Sequence, residues 1–123
     1  MRQDLTIPLE EGKLNIRVAV WIEQEESLLI SEFPNGLLSL PGGRVKFGEA
    51  SNDAAIRELY EETGEQLKDI RLFAIIENFF TLGQAHHEIL YVYRGTIPLK
   101  KRMQESIMTT KSCTGFRNQK FTN

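Results

Sequence analysis

The chain has 123 residues, 41% of them hydrophobic and 26% charged, with a formal net charge of −2. That length suits one domain with one core and excludes two ordinary domains. No apolar run approaches the ~20 residues of a membrane-spanning helix, and the first residues, MRQDLTIPLEEGK, hold no apolar core of a secretory signal. The lone cysteine, Cys113, excludes an internal disulfide, reads as a passive thiol and suits a reducing cytoplasm, which is the expected location. The charge is uneven. Residues 1–99 carry 9 Lys or Arg against 16 Asp or Glu, whereas residues 100–123 carry Lys100, Lys101, Arg102, Lys111, Arg117 and Lys120 against Glu105 alone. A basic tail of this kind binds nucleic acid in some proteins, but without interleaved aromatic residues it reads as a solvated terminus.

Leu14 to Ile22 alternates and is rich in β-branched and aromatic residues, which predicts a strand in which Trp21 belongs to the core. The polar run Glu23 to Ser27 turns the chain into a partner strand, Leu28 to Ser31. Pro34-Asn35-Gly36 marks a further turn and Leu37 to Leu40 a short strand that halts at Pro41-Gly42-Gly43. Glycines there let a ligand approach the backbone closely. A helix follows, with Ser51 as the expected N-cap, Asp53 in the first turn, Gly64 as the terminating residue, and Ala55, Ile56, Leu59 and Thr63 as its inward stripe. Leu72 to Thr81 and Glu88 to Ile97 read as two long strands around the turn Gly83-Gln84-Ala85, so the whole suggests a mixed α/β sheet. Beyond Pro98 the pattern dissolves: Met103, Ile107 and Met108 make one weak helical stripe, and Thr109 to Asn123 shows neither helical nor strand periodicity.

The segment Gly43 to Glu65 carries the chemistry. Glu58, Glu61 and Glu62 stand three and four residues apart and so share a helix face, with Glu49 in the loop before it. Like charges so close repel unless cations neutralise them, and carboxylates without Cys or His favour a hard ion such as magnesium or manganese. A P-loop is excluded, because Glu49 and Ala50 stand where Lys and Ser/Thr would hold phosphate and metal, and the alternating acidic ligands of a calcium loop are absent.

The spacing Gly43, Glu49, Arg57-Glu58, Leu59, Glu61-Glu62 and Gly64 resembles the signature of the Nudix hydrolases at every specified position but the last, where Glu65 replaces an aliphatic residue. Leu40-Pro41-Gly42-Gly43 also resembles the usual approach to that box, and in looser form the likeness extends over Leu14 to Ile97. The resemblance implies an α/β/α sandwich with a mixed sheet and a magnesium- or manganese-dependent pyrophosphohydrolase. Its substrate would be a nucleoside diphosphate derivative, whether a modified nucleoside triphosphate, a nucleotide sugar or ADP-ribose. Carried over by position, Glu58, Glu61, Glu62 and the Gly42 carbonyl would bind metal. Arg57 would pair with Glu49 to fix the loop against the helix, and Glu58 would take part in activating water.

Glu88 reads first as a surface strand residue; the resemblance also makes it a candidate for an additional acid at the substrate. Phe79, Phe80, Tyr91 and Tyr93 read first as core rings; Phe79 and Tyr91 are also the rings that would stack on a nucleobase. His86 and His87 read as a polar strand end. Residues 1–99 are expected to form the domain core. From about residue 99 the end looks replaced, as by a frameshift, leaving the fold without its usual C-terminal strand and helix. An uncovered sheet face would then recruit a second copy, giving a homodimer or higher homo-oligomer. The alternative to an enzyme is a catalytically weak scaffold that binds nucleotide or a protein partner.

Overall fold

The computed structural model describes residues 2–34, 36–98 and, for backbone alone, 113–118. The elements run β1 (Thr6–Leu9), β2 (Gly12–Trp21), β3 (Glu23–Gln24), β4 (Ser27–Glu32), β5 (Leu38–Ser39), β6 (Gly42–Arg44), α1 (Ser51–Thr63), β7 (Lys68–Leu82), β8 (Gln84–Thr96) and β9 (Cys113–Asn118). Strand β2 organises the larger sheet. One of its edges pairs parallel with β8 over Lys13 to Trp21; the other is shared by β1, opposite Gly12 to Asn15, and β6, opposite Arg17 to Ala19, both antiparallel. Strand β7 closes the order β1-β2-β8-β7. The result is the expected mixed sheet. A smaller sheet is built on β4, which pairs with β3, β5 and β9.

Alternation along β2 fixes what each face does. Val18 and Val20 point to the side covered by α1 and pack with Ala54, Ala55, Leu59, Val45, Leu29 and Tyr93. Arg17 and Asn15 leave the opposite face. The expected inward stripe of α1 is therefore present at Ala55 and Leu59, with Ile56 packed at its margin and Ala54 added. Gly64 ends the helix at φ 78°, and its N–H donates to Tyr60 O at 2.7 Å. The N-cap differs from expectation. Ala50, with extended backbone, holds that position, and Ser51 is already helical with its hydroxyl diverted to Tyr93 Oη at 2.6 Å.

Other differences have equally local causes. The β7–β8 turn tightens to Gly83 alone, at φ 77°, with Leu82 opposite Gln84. Trp21 is half-buried rather than core: its Nε1 donates to Glu23 at 2.7 Å and its ring lies 6.0 Å from Phe73, over which Arg94 sits at 5.4 Å. Strand β7 is outermost, so Leu72, Phe73, Ile75, Ile76, Phe79 and Leu82 remain exposed. Strand β9 arises where the sequence shows no strand periodicity, because its partner is the distant edge of β4, from Ser27 opposite Asn118 to Ser31 opposite Cys113. The weak stripe at Met103, Ile107 and Met108 lies outside the described residues.

The β3–β4 hairpin contains an imperfect turn. Its two loop residues, Glu25 and Glu26, have φ of 51° and 66°, the pattern of a type I′ turn that favours Asn-Gly. Holding a side chain in the left-handed region costs roughly 1 kcal/mol per residue. Glu26→Gly should therefore raise the stability of the protein by about 1 kcal/mol in urea denaturation, with no change in slope.

Candidate active site

The site is built where β6 meets the first turns of α1. Strand β6 begins Gly42-Gly43: a Cβ at Gly42 would strike Val18 O of the neighbouring strand, and one at Gly43 would displace the Glu58 carboxylate. The glycines therefore let the helix lay a glutamate directly on the sheet. Glu58 and Glu62 are 9% and 4% exposed, an unusual burial for carboxylates. Glu62 accepts from the Ser31 hydroxyl at 3.1 Å and from the Gly42 N–H at 3.3 Å. Glu61, one residue earlier, is largely exposed.

Arg57 binds this region together. Its Nε and Nη2 grip both oxygens of Glu49, at 2.7 and 3.0 Å. Nη2 also donates to Arg44 O at 3.0 Å, while Nη1 donates to Glu58 at 3.0 Å and reaches Glu61 at 3.4 Å. The Lys46 N–H donates to Glu49 at 3.0 Å, closing the loop before the helix. The expected Arg57–Glu49 pair thus forms, in the bidentate geometry that a guanidinium alone provides. Hydrogen bonding from Arg57 holds the Glu49 carboxyl below its ordinary range, against the upward pull of burial, with the Lys46 N–H assisting. The same bonds raise the Arg57 pKa, Glu49 contributing most.

Among the described residues no three His, Cys, Asp or Glu side chains converge into a preformed metal cage. The donor set nevertheless fits magnesium or manganese: it offers oxygen only, and magnesium is commonly held by one or two carboxylates, waters and substrate phosphates rather than by a full protein cage. Glu58, Glu61 and Glu62 line one helix face, and Glu58 adjoins the Gly42-Gly43 backbone.

The remaining expected residues are not gathered there. Glu88 leaves the sheet face opposite α1, accepting from Asn78 at 3.0 Å and lying 3.7 Å from Arg17. Tyr91 packs at the edge of the core, on the α1 side. Phe79 lies toward the far end of the β7–β8 hairpin, 68% exposed, its ring 4.5 Å from His87; Phe80 stacks on His86 at 4.8 Å. A single nucleobase platform of Phe79 and Tyr91 with Glu88 is therefore not assembled, because strand alternation and hairpin length separate them. Tyr93 is a core ring. Ser31 is the contributor that sequence reasoning missed. It lies 31 residues from Glu62, and no local pattern marks it.

The NUDIX domain model matches residues 13–110. The m7GpppN-mRNA hydrolase NUDT17 of Xenopus laevis is 30% identical over 124 residues, a match that covers 86% of this chain and 42% of that protein. The chain spans less than half the length of the curated relatives it matches. Among solved structures, a NUDIX hydrolase from Nitrosomonas europaea is 28% identical with a TM-score of 0.58, covering 85% of this chain and 68% of that one. The MutT protein from Methanosarcina mazei Go1 shares the fold at a TM-score of 0.65 and 21% identity, covering 91% of this chain and 80% of that one.

Two outcomes test the Arg57–Glu49 clamp. Arg57→Met should destabilise the protein by about 2–3 kcal/mol, since it leaves the largely buried Glu49 carboxylate without its cation. Because the folded-state pKa of Glu49 is depressed, its stabilising contribution is present above the unfolded value, ~4.3, and fades as pH falls through the lower folded value. Chemical denaturation at pH 7 and pH 3 should show a smaller loss on acidification for Arg57→Met than for the wild type.

Proposed function

The chain belongs to the Nudix family, and on that premise we propose that it hydrolyses a diphosphate linkage in a nucleoside diphosphate derivative. Modified nucleoside triphosphates, nucleotide sugars and ADP-ribose are the substrate classes proposed. The observation that carries the reading is the burial of Glu58 and Glu62 against the Gly42-Gly43 backbone, with Arg57 fixing the loop beside them. Burying two carboxylates beside each other is costly unless cations or hydrogen-bond donors compensate them.

In this reading Glu58, Glu61, Glu62 and the Gly42 carbonyl hold magnesium or manganese. A divalent ion there, when bound, neutralises phosphate oxygens, lowers the pKa of water and stabilises the leaving phosphate. Glu58 accepts the proton of the attacking water. Ser31 and the Gly42 N–H orient Glu62 through its two oxygens. Arg57 and Glu49 touch neither water nor phosphate in this scheme; they position Glu58 and hold β6 against α1. The Xenopus relative is named as acting on m7GpppN-mRNA, and the phosphoanhydride bonds of that triphosphate bridge fall within the same bond class.

The exposed apolar row of β7, whose pairing partner among the described residues is β8, supports a homodimer. A homodimer or higher homo-oligomer should sediment at micromolar concentration with at least twice the chain mass, and a monomer refutes this part of the proposal.

The enzyme reading is tested with a panel of modified nucleoside triphosphates, nucleotide sugars, ADP-ribose and dinucleoside polyphosphates. At least one should be split in magnesium or manganese, and chelator should abolish turnover. Glu62→Gln should lower kcat/KM by roughly 100-fold or more, the loss typical of removing one charge-stabilising group from a catalytic site. Binding of a panel member without turnover under any metal would favour the binding scaffold instead.

A further inference from the structure

The sheet face opposite α1 carries, among the described residues, buried polar atoms without hydrogen-bond partners. Among the described residues, three buried side-chain polar atoms lack any hydrogen-bond partner: Thr6 Oγ1, Asn15 Oδ1 and Arg44 Nε. All three are on this face. Thr6 stands opposite Asn15, Arg44 stands opposite Arg17, and Asn15 and Arg17 are two apart on β2. Gly43, of opposite parity to Arg44, is the residue that abuts Glu58 on the α1 side. Unpaired buried polar groups are rare and costly, so three on one face call for a physical cause.

For Arg44 the opposing Arg17 supplies one. Directly opposed residues of an antiparallel pair have Cβ atoms about 5 Å apart, and like charges placed so are destabilising. Arg17 and Arg44 occupy such a pair. Arg44's guanidinium forms no ion pair among the described residues, and Arg17 reaches Glu88 only at 3.7 Å, beyond the range of a charge-assisted hydrogen bond. Guanidiniums carried on directly opposed residues can turn their forked donors to a tetrahedral oxyanion between them.

We propose that Arg17 and Arg44 form a clamp for a phosphate of the substrate, on the face of the sheet opposite the carboxylate cluster. The proposal rests on the hydrolase reading and deepens it. Strand β6 is three residues long and, among the described residues, pairs on one edge only, with β2. The other edge of β6 carries Arg57 on Arg44 O and Glu62 on the Gly42 N–H, and a polyphosphate lying along it would set its scissile bond at the glutamates and another phosphate at the arginines. Asn15 Oδ1 and Thr6 Oγ1 lie about 7 Å further along β2, where a sugar joined to that phosphate would reach. Glu88 positions Arg17 from the side and, with Asn78 bound to its other oxygen, leaves the guanidinium forks open. The clamped group is a phosphate, whether the terminal one of a nucleoside triphosphate or one inside a longer diphosphate ester.

The test uses the full chain and variants Arg44→Gln and Arg17→Gln. Without metal, millimolar inorganic phosphate or pyrophosphate should raise the melting temperature of the wild type and leave that of Arg44→Gln unmoved. Without anion, Arg44→Gln should melt no lower than the wild type, because no side-chain partner among the described residues is lost. An equal anion-induced rise in both proteins, or none in the wild type, overturns the clamp, and this readout stands even if no substrate is turned over. With active enzyme, each variant should raise KM by about 10- to 100-fold, the worth of one charge-assisted contact, with kcat largely kept. A rise confined to triphosphates assigns the clamp to a terminal phosphate, and a rise shared by ADP-ribose assigns it to an internal one. Unchanged KM for both substrates overturns it.

Discussion

The fork of Arg57 is the constraint on which the site depends. One planar group satisfies both oxygens of Glu49, the carbonyl of Arg44 and an oxygen of Glu58, and so ties a loop, a strand and a helix at one point. Lysine offers a point charge on a flexible stem and cannot serve four acceptors in a plane. With that fork in place, the chain from Arg44 to Glu49 has little freedom. The glutamates of α1 then face the glycine backbone at fixed distance.

Repulsion among the glutamates is managed rather than removed. Arg57 screens Glu58 and Glu61, while Glu62 draws on the Ser31 hydroxyl and the Gly42 N–H. The compensation is distributed over three elements, β4, β6 and α1. It leaves Glu61 open to solvent, so one edge of the cluster stays accessible to an incoming ion or phosphate. In the proposed reading such a site holds its charges ready before substrate arrives, which is what electrostatic preorganisation requires.

What the sequence reveals follows sequence distance. The helix and its glycine terminus were legible because their signals are local, and the Arg57–Glu49 pair because the spacing resembles the Nudix signature, which outweighed the reading of the glutamates as a solvated helix face. The fold class was legible from the alternation of Leu14 to Ile22 and the paired long strands. Ser31 was not, because its role depends on β4 arriving beside α1 from 31 residues away. The arginine pair was hidden for the same reason: Arg17 and Arg44 become neighbours only through the β2–β6 register. Ser51 was misread because a tertiary contact with Tyr93 outweighed the capping preference of its side chain. The rings of β7 and β8 alternate correctly, yet periodicity cannot say that β7 will be outermost.

The parallel pairing of β2 with β8 also sets an order of assembly. The β7–β8 hairpin turns on a single glycine and can form from local contacts, whereas Asn15 meets His86 only by closing a separation of 71 residues. Loop closure of that length delays the pairing until much of the intervening chain is ordered. The glycine strand β6 has no partner until β2 is seated, so the carboxylate cluster should be completed in the last stage of folding. Pulse-labelled hydrogen exchange would show this as early protection in β7 and β8 and late protection at Gly42 and Gly43. Protection appearing at all of them together would refute it. During the interval the apolar side chains of β7 are presented to solvent without the rest of the sheet, and the nascent chain is most exposed to misassociation then.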